Sequence, residues 1–279
     1  MTVGRSVVTV AQSAVKVRGC GPHADALTRR EYARGVTAYV GTSGFSYAQW
    51  KGVFYPEKLA NARMLAYYAE RLPSVELNNT FYRLPRASAL ASWRDTVPAG
   101  FSFAVKAPRA ITHFAKLSPA AAQLEPFLGV LGALGDRGGP VLFQLPPTHQ
   151  ADPALLRDFL DVLPTELRAA FEFRHPSWFS DEVLEALSHH GCALVGGDLD
   201  DAERSPPLER TAPFAYLRLR RSGYEPGELE SWAERIRRLG VEDSYVYFKH
   251  EQTAPALARD LLDLLDGPQQ RVEGSPRTS

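Results

Sequence analysis

Eight short β-prone runs recur along the chain, with helical stretches between most of them. The runs are AYVGTSG from Ala38, SVELN from Ser74, FSFAVK from Phe101, VLFQL from Val141, AAFEFR from Ala169, CALVGGD from Cys192, FAYLRLR from Phe214 and YVYFK from Tyr245. Between them, NARMLAYYAERL places Met64, Leu65, Tyr68 and Leu72 on one helical face. Ser118-Pro119 and Asp152-Pro153 read as an N-cap followed by proline in the first helical position. SDEVLEALSHHG from Ser180 stops at Gly191, and SWAERIRRL and ALARDLLDLL supply two further helices. Strands that alternate with helices argue for parallel βαβ units. An open doubly wound sheet shares the pattern, but a count of eight favours an α/β fold of the (β/α)₈ barrel type. One connection is irregular: DLDDAERSPPLERTAP, between strands six and seven, holds three prolines and no helical face.

The 279 residues fit a single barrel domain over 37–266. Residues 1–36 lack a period and are expected to form a poorly ordered extension, and the polar tail 267–279 to be disordered. Lys plus Arg equals Asp plus Glu at 32 each, so no global charge draws the chain to nucleic acid or a membrane surface. No apolar run is long enough to span a bilayer, and Cys20 and Cys192 lie far apart without metal-ligand spacing. Free thiols in a cytoplasmic protein are the expectation.

Side chains alternate across a strand, so large apolar residues mark the face that meets the helices and the other set faces the barrel interior. Phe171 and Phe173 face out, which turns Glu172 and Arg174 in. Val75 and Leu77 face out, which turns Glu76 and Asn78 in. The same reading places Lys106, Gln144, Asp198, Arg218, Arg220, Tyr247 and Lys249 inside, while strand one offers only Gly41 and Ser43. Nearly all of the charged residues fall at C-terminal strand ends, where barrel enzymes place their chemistry. Buried charges must pair or reach water, and the basic excess suits an anion.

Glu76 and Glu172 are the candidate acid and base, since two carboxylates in unlike surroundings can divide those roles. Arg174, Arg218 and Lys249 are candidate anion clamps. The bland alternative is that these charges merely balance one another. His175 and His250 fall off the inward set by parity and are better read as structural, and His113 after strand three is a third proton-carrier candidate. No HExxH or similar spacing points to a metal; a divalent ion on Glu76, Glu172, Asp198 and a loop histidine is a lesser alternative. GxGxxG, GxxxxGK[ST] and GxSxG are absent from the sequence. Gly41-Thr-Ser-Gly44 suits a tight turn. Phe45, Tyr47, Trp50, Phe54, Tyr55, Phe81 and Tyr82 form either a pocket wall or, slightly favoured, loop core.

GTSGFSYAQWKGVFYP, VELNNTFYRLP, FAVKAPRAITH, GPVLFQLPP, FEFRHPSWF, YLRLR and YVYFKHE, in this order over about residues 38–265, resemble the YecE-like family of domains of unknown function. The resemblance implies a TIM barrel and no particular reaction. The family motifs match at Glu76, Asn78, Lys106, Gln144, Glu172, Arg174, His175 and Trp178. The last strand departs from a common version that ends in an Asn-Asn motif, reading Phe248-Lys249-His250-Glu251.

The expected function is acid/base chemistry of a hydrolase or isomerase type, without cofactor, on a small anionic or phosphate-bearing substrate. Glu76 and Glu172 would be catalytic. Asn78, Lys106, Gln144, Arg174, His175, Asp198, Arg218 and Lys249 would bind substrate. The alternatives are a nucleic-acid-binding, nucleotide-binding or phosphodiester-cleaving barrel, and a scaffold whose buried charges form a pairing network. No membrane partner is expected.

Overall fold

A computed structural model describes residues 37–117, 121–249 and 251–267. The extension 1–36 with Cys20, the Ser118-Pro119 cap, His250 and the tail beyond Gly267 lie outside the described residues. All eight expected strands form: β1 (Thr37–Ser43), β2 (Ser74–Leu77), β3 (Ser102–Lys106), β4 (Gly138–Gln144), β5 (Ala169–Glu172), β6 (Ala193–Asp198), β7 (Phe214–Leu219) and β8 (Asp243–Phe248). They pair in parallel and in sequence order, and β8 closes on β1 through the register Ala38 to Ser244 and Gly41 to Tyr247. The closed (β/α)₈-type barrel removes every sheet edge.

The helices are α1 (Met64–Ala69), α2 (Ala87–Thr96), α3 (Ala121–Leu131), α4 (Pro153–Asp161), α5 (Asp181–His189), α6 (Pro226–Arg238) and α7 (Ala254–Asp266). Asp152 caps α4 by accepting from Leu155 N–H at 3.0 Å, with Pro153 in the first helical position, as the sequence predicts. Among the described residues, β6 alone is not followed by an α-helix; the proline-rich link to β7 holds a single 3₁₀ turn, Ala202–Arg204. No described helix is long and apolar enough to cross a membrane.

The predicted two-sided alternation organises two cores. The outer one joins strands to helices: Phe143 stacks on Phe171 at 5.2 Å with Phe159 of α4 edge-on, and Phe173 lies flat on Trp178 at 4.4 Å. Trp50 and Tyr55 are buried in this core, which settles most of the strand-one aromatics as packing rather than pocket wall. Cys192 is also buried and unpaired. The inner core fills the barrel in layers. At the N-terminal end Tyr39 stacks on Tyr245 at 4.7 Å, and Arg168 pairs with Asp243 at 2.9 Å. In the middle lie Leu142, Val195, Tyr216 and Tyr247, with the Tyr247 hydroxyl 2.7 Å from Ser74 Oγ. The apolar filling ends below the level of Glu76 and Glu172, so the charged residues cap a plugged barrel.

The β1–β2 seam carries the strand that borders the mouth. Tyr68 of α1 reaches into it, accepting from Thr42 N–H and donating to Ser74 O, both at 2.9 Å. Gly41 leaves room for this contact: a Cβ there would lie 1.9 Å from Ser74 O and 3.0 Å from the Tyr68 hydroxyl. Gly41→Ala is therefore expected to destabilise the protein by ~1–3 kcal/mol through overpacking, which lowers the thermal midpoint by several degrees. A calorimetric midpoint equal to the parent's would refute this.

Candidate active site at the barrel mouth

Arg218 stands on β7 with the same parity as Tyr216, and its guanidinium reaches across the barrel interior. It donates from Nη2 to Glu76 Oε1 at 2.9 Å and from Nη1 to Glu172 Oε2 at 2.5 Å. Glu76 is wholly buried, and Arg218 and Glu172 are each 7% exposed. One cation thus bridges the two carboxylates expected to act as acid and base.

The remaining oxygen capacity of both carboxylates is filled. Glu76 accepts from Ser43 Oγ, Asn78 Nδ2 and the Tyr216 hydroxyl, each at 2.8 Å. Glu172 accepts from Gln144 Nε2 at 2.7 Å and Arg174 Nε at 3.1 Å, with Arg220 Nη1 at 3.5 Å. Burial alone would push the Glu76 carboxyl up, but the Arg218 charge and the three donors outweigh it and hold Glu76 below the usual range. Burial also acts on Glu172, and there the guanidinium groups of Arg218, Arg174 and Arg220 drive the carboxyl far down. Both carboxylates are therefore ionised at neutral pH. In this resting state each carboxylate is a proton acceptor and a counter-ion of Arg218.

Lys106 ends β3. Its Nζ donates to Gln144 Oε1 at 2.7 Å and lies 4.1 Å from the centre of the Phe81 ring. Burial, assisted by the Arg218 charge, pulls its ammonium down to about 8. His113, in a π-helical turn (Ala110–Phe114), meets the same Phe81 ring edge-on at 4.9 Å. Burial and then the Lys106 charge lower its pKa, so its imidazole is neutral at pH 7. Both groups are thus shifted toward their neutral forms.

Glu172, Arg174, Arg218, Arg220 and Lys249 line a cavity of roughly 400 Å³ under the proline-rich β6–β7 link, which contributes Leu199, Arg204 and Pro206. Lys249 is partly compensated by Glu251, 2.9 Å away. Arg220 turns inward toward Glu172, as strand parity predicts. The Nε of Arg218 is buried without an acceptor, an orphan donor at the cavity wall.

Two expected ligand contacts are engaged within the protein. By strand parity Asp198 falls opposite to Ala193 and Val195, which occupy the inner core, yet it borders the cavity with Glu172, Arg174 and Arg218. It accepts from the Tyr224 hydroxyl at 2.5 Å, Arg220 N–H at 3.1 Å and Trp232 Nε1 at 3.2 Å, which pins the end of β7 to α6. His175 accepts from Ser177 N–H at 3.2 Å through Nδ1 and caps the 3₁₀ turn Pro176–Trp178. Glu76 and Glu172 are bridged by Arg218, and among the described residues no group of three or more acidic, His or Cys side chains is placed to hold a metal ion. The sequence reading missed Ser43 as a donor to Glu76, and it missed Tyr216, although the alternation Tyr216, Arg218, Arg220 carried that signal.

Comparison with known proteins follows this geometry. A family model described as "Protein of unknown function DUF72" matches residues 39–279. The UPF0759 protein YunF of Bacillus subtilis is 30% identical over 270 residues, which cover 82% of this chain and 94% of YunF. The crystal structure of a DUF72 family protein from Thermotoga maritima is 28% identical with a TM-score of 0.70, covering 83% of this chain and 100% of that one. A DUF72 family protein from Enterococcus faecalis, 18% identical, shares the fold with a TM-score of 0.68 over 87% of this chain and 100% of its own.

The triad sets a pH signature. Both glutamates have folded pKa values below the ordinary 4.5, so their stabilisation is fully present above that pH and is lost as pH falls through the folded values. Arg218→Met leaves the buried Glu76 without its counter-ion, while Glu172 keeps Arg174 and Arg220, at an expected cost of ~3–5 kcal/mol at neutral pH. The Glu76 pKa then rises above the unfolded one, so the variant should gain stability on acidification where the parent does not. Thermal midpoints across about pH 4 to 8 check this, and parallel pH curves for the two proteins would contradict it.

Proposed function

We propose an enzymatic role for the barrel mouth, from the premise that the chain belongs to the DUF72 family. The mouth binds a small anionic substrate, phosphate- or carboxylate-bearing, and performs proton-transfer chemistry of a hydrolase or isomerase type. One observation carries this reading. Four cations (Lys106, Arg174, Arg218 and Arg220) surround two carboxylates, Glu76 and Glu172, whose charge is already committed to Arg218. Arg174, Arg204, Arg218, Arg220 and Lys249 line the adjoining cavity against Glu172, Asp198, Asp200 and Asp201, a wall that is basic on balance. Arg174 and Arg220 clamp the anion, with Lys249 at the edge. Lys106 and His113 exchange protons with the substrate, since burial lowers both pKa values and makes their neutral forms accessible. Glu76 and Glu172, with Asn78, Gln144 and Tyr216 behind them, fix the position of Arg218.

A second reading draws on one surface feature. Tyr82 and Phe114 are 72% and 71% exposed, and the Arg109 guanidinium lies 5.8 Å and 5.2 Å from their ring centres. Such a ledge suits stacking of a nucleobase, which would extend the substrate class to nucleotides or single strands.

Titration with phosphate, pyruvate and a nucleoside monophosphate under thermal denaturation tests the main reading. Saturation at about 100 times Kd is expected to stabilise the protein by ~2.7 kcal/mol, and Arg174→Ala with Arg220→Ala to weaken binding by about tenfold or more. Equal affinity in the doubly substituted protein would remove the clamp. Tighter binding of the nucleotide that is lost in Tyr82→Ala would favour the ledge.

A further inference from the structure

We propose that Lys106 is a covalent nucleophile, forming an imine with the carbonyl carbon of a small oxo-acid held in the mouth. This rests on the anion-binding reading above and names the substrate class: a carboxylate that also carries an aldehyde or ketone.

Four features of Lys106 point this way. It lies half-buried at the C-terminal end of a barrel strand, one side chain (Gln144) away from the cavity-lining Glu172. No carboxylate among the described residues lies within ion-pair distance of its Nζ, although two occupy the same mouth. Gln144 explains the separation. A carboxylate only accepts hydrogen bonds, so the Gln144 amide nitrogen must face Glu172, at 2.7 Å, which turns its oxygen to Lys106. The lysine thus meets a neutral dipole where an ion pair would hold it protonated. Its flank is the Phe81 ring, which excludes water from that side.

The charges facing Lys106 are those of Arg218, Glu172, Glu76 and Arg174, with His113 across the Phe81 ring. Burial and Arg218 dominate, and at about 8 roughly a tenth of the side chain is the free amine at pH 7. A lysine desolvated next to another cation is an activated nucleophile.

The step balances without an external oxidant or reductant. The Nζ lone pair adds to the carbonyl carbon, a C–N bond forms, and the C=O π pair moves to oxygen. The amine proton and one further proton, delivered by His113 after it is taken up from the medium, convert that oxygen to water as the C–O bond breaks. The resulting protonated imine draws electrons from an adjacent C–H or C–C bond. Arg174 and Arg220 hold the carboxylate end and keep the carbonyl over Nζ.

The test is reductive trapping. The full chain is incubated at neutral pH with pyruvate or glyoxylate and sodium cyanoborohydride, followed by peptide mass mapping. Labelling is expected at Lys106 about tenfold or more faster than at exposed Lys58, because burial pulls the Lys106 ammonium down and the mouth holds the oxo-acid beside it. Lys106→Arg should abolish the fast label while pyruvate still raises the melting temperature, since the positive charge is kept. Lys106→Met provides a second unlabelled variant if the arginine disturbs the fold. Slow, uniform labelling of all lysines together with pyruvate stabilisation would overturn the imine and leave the anion site standing. An absence of stabilisation by pyruvate, glyoxylate and phosphate alike would overturn both.

Discussion

A guanidinium inside a barrel must be neutralised where it lies, and Arg218 is where this one lies. Its side chain is 7% exposed, and the cost of removing such a charge from water is several kcal/mol unless ionised partners are held against it. Glu76 from β2 and Glu172 from β5 meet that need from opposite sides. Each carboxylate then recruits its own donors: Ser43, Asn78 and Tyr216 around Glu76, and Gln144, Arg174 and Arg220 around Glu172. The network therefore ties β1, β2, β4, β5 and β7 together across the top of the barrel. Truncating one member leaves buried, unpaired groups in the others, so the network behaves as a unit.

This arrangement also decides which groups are free for chemistry. The carboxylates are committed, and the titratable groups left in the mouth are Lys106 and His113. The absence of a helix after β6 places a flexible-looking sequence, rich in proline, where a helix would otherwise pack, and its residues form one wall of the cavity beside Arg174 and Arg220. At the border of the same cavity, Asp198 accepts from Arg220 N–H, Trp232 and Tyr224 and so ties the end of β7 to α6. That tie positions the backbone from which Arg220 turns inward.

The fold and the inward-facing set were legible because both follow from local rules. All eight strands sit where β-prone runs occur, and Phe171 with Phe173 or Val75 with Leu77 mark the outer face unambiguously. Parity failed at β6, where Leu194 and Val195 are both apolar and Gly196 and Gly197 carry no side chain to break the tie. For His175 the motif match says nothing of a side chain folding back to cap its own turn, although strand parity already set it off the inward face. The ionisation of Glu76 and Glu172 was not legible, because it depends on Arg218 crossing the barrel from residues 142 and 46 positions away in sequence. The same long-range placement hides the neutral setting of Lys106, which exists only because Gln144 stands between it and Glu172.

The central claim is that the Arg218 network prepares the mouth to receive an anion. Anomalous diffraction from crystals soaked in selenate addresses it directly. The account predicts a selenium peak in the mouth within hydrogen-bond reach of Arg218 Nε and of Arg174 or Arg220, abolished when both of those arginines are replaced by alanine. Selenate bound only on outer surfaces, with the mouth holding none at saturating concentration, would contradict it.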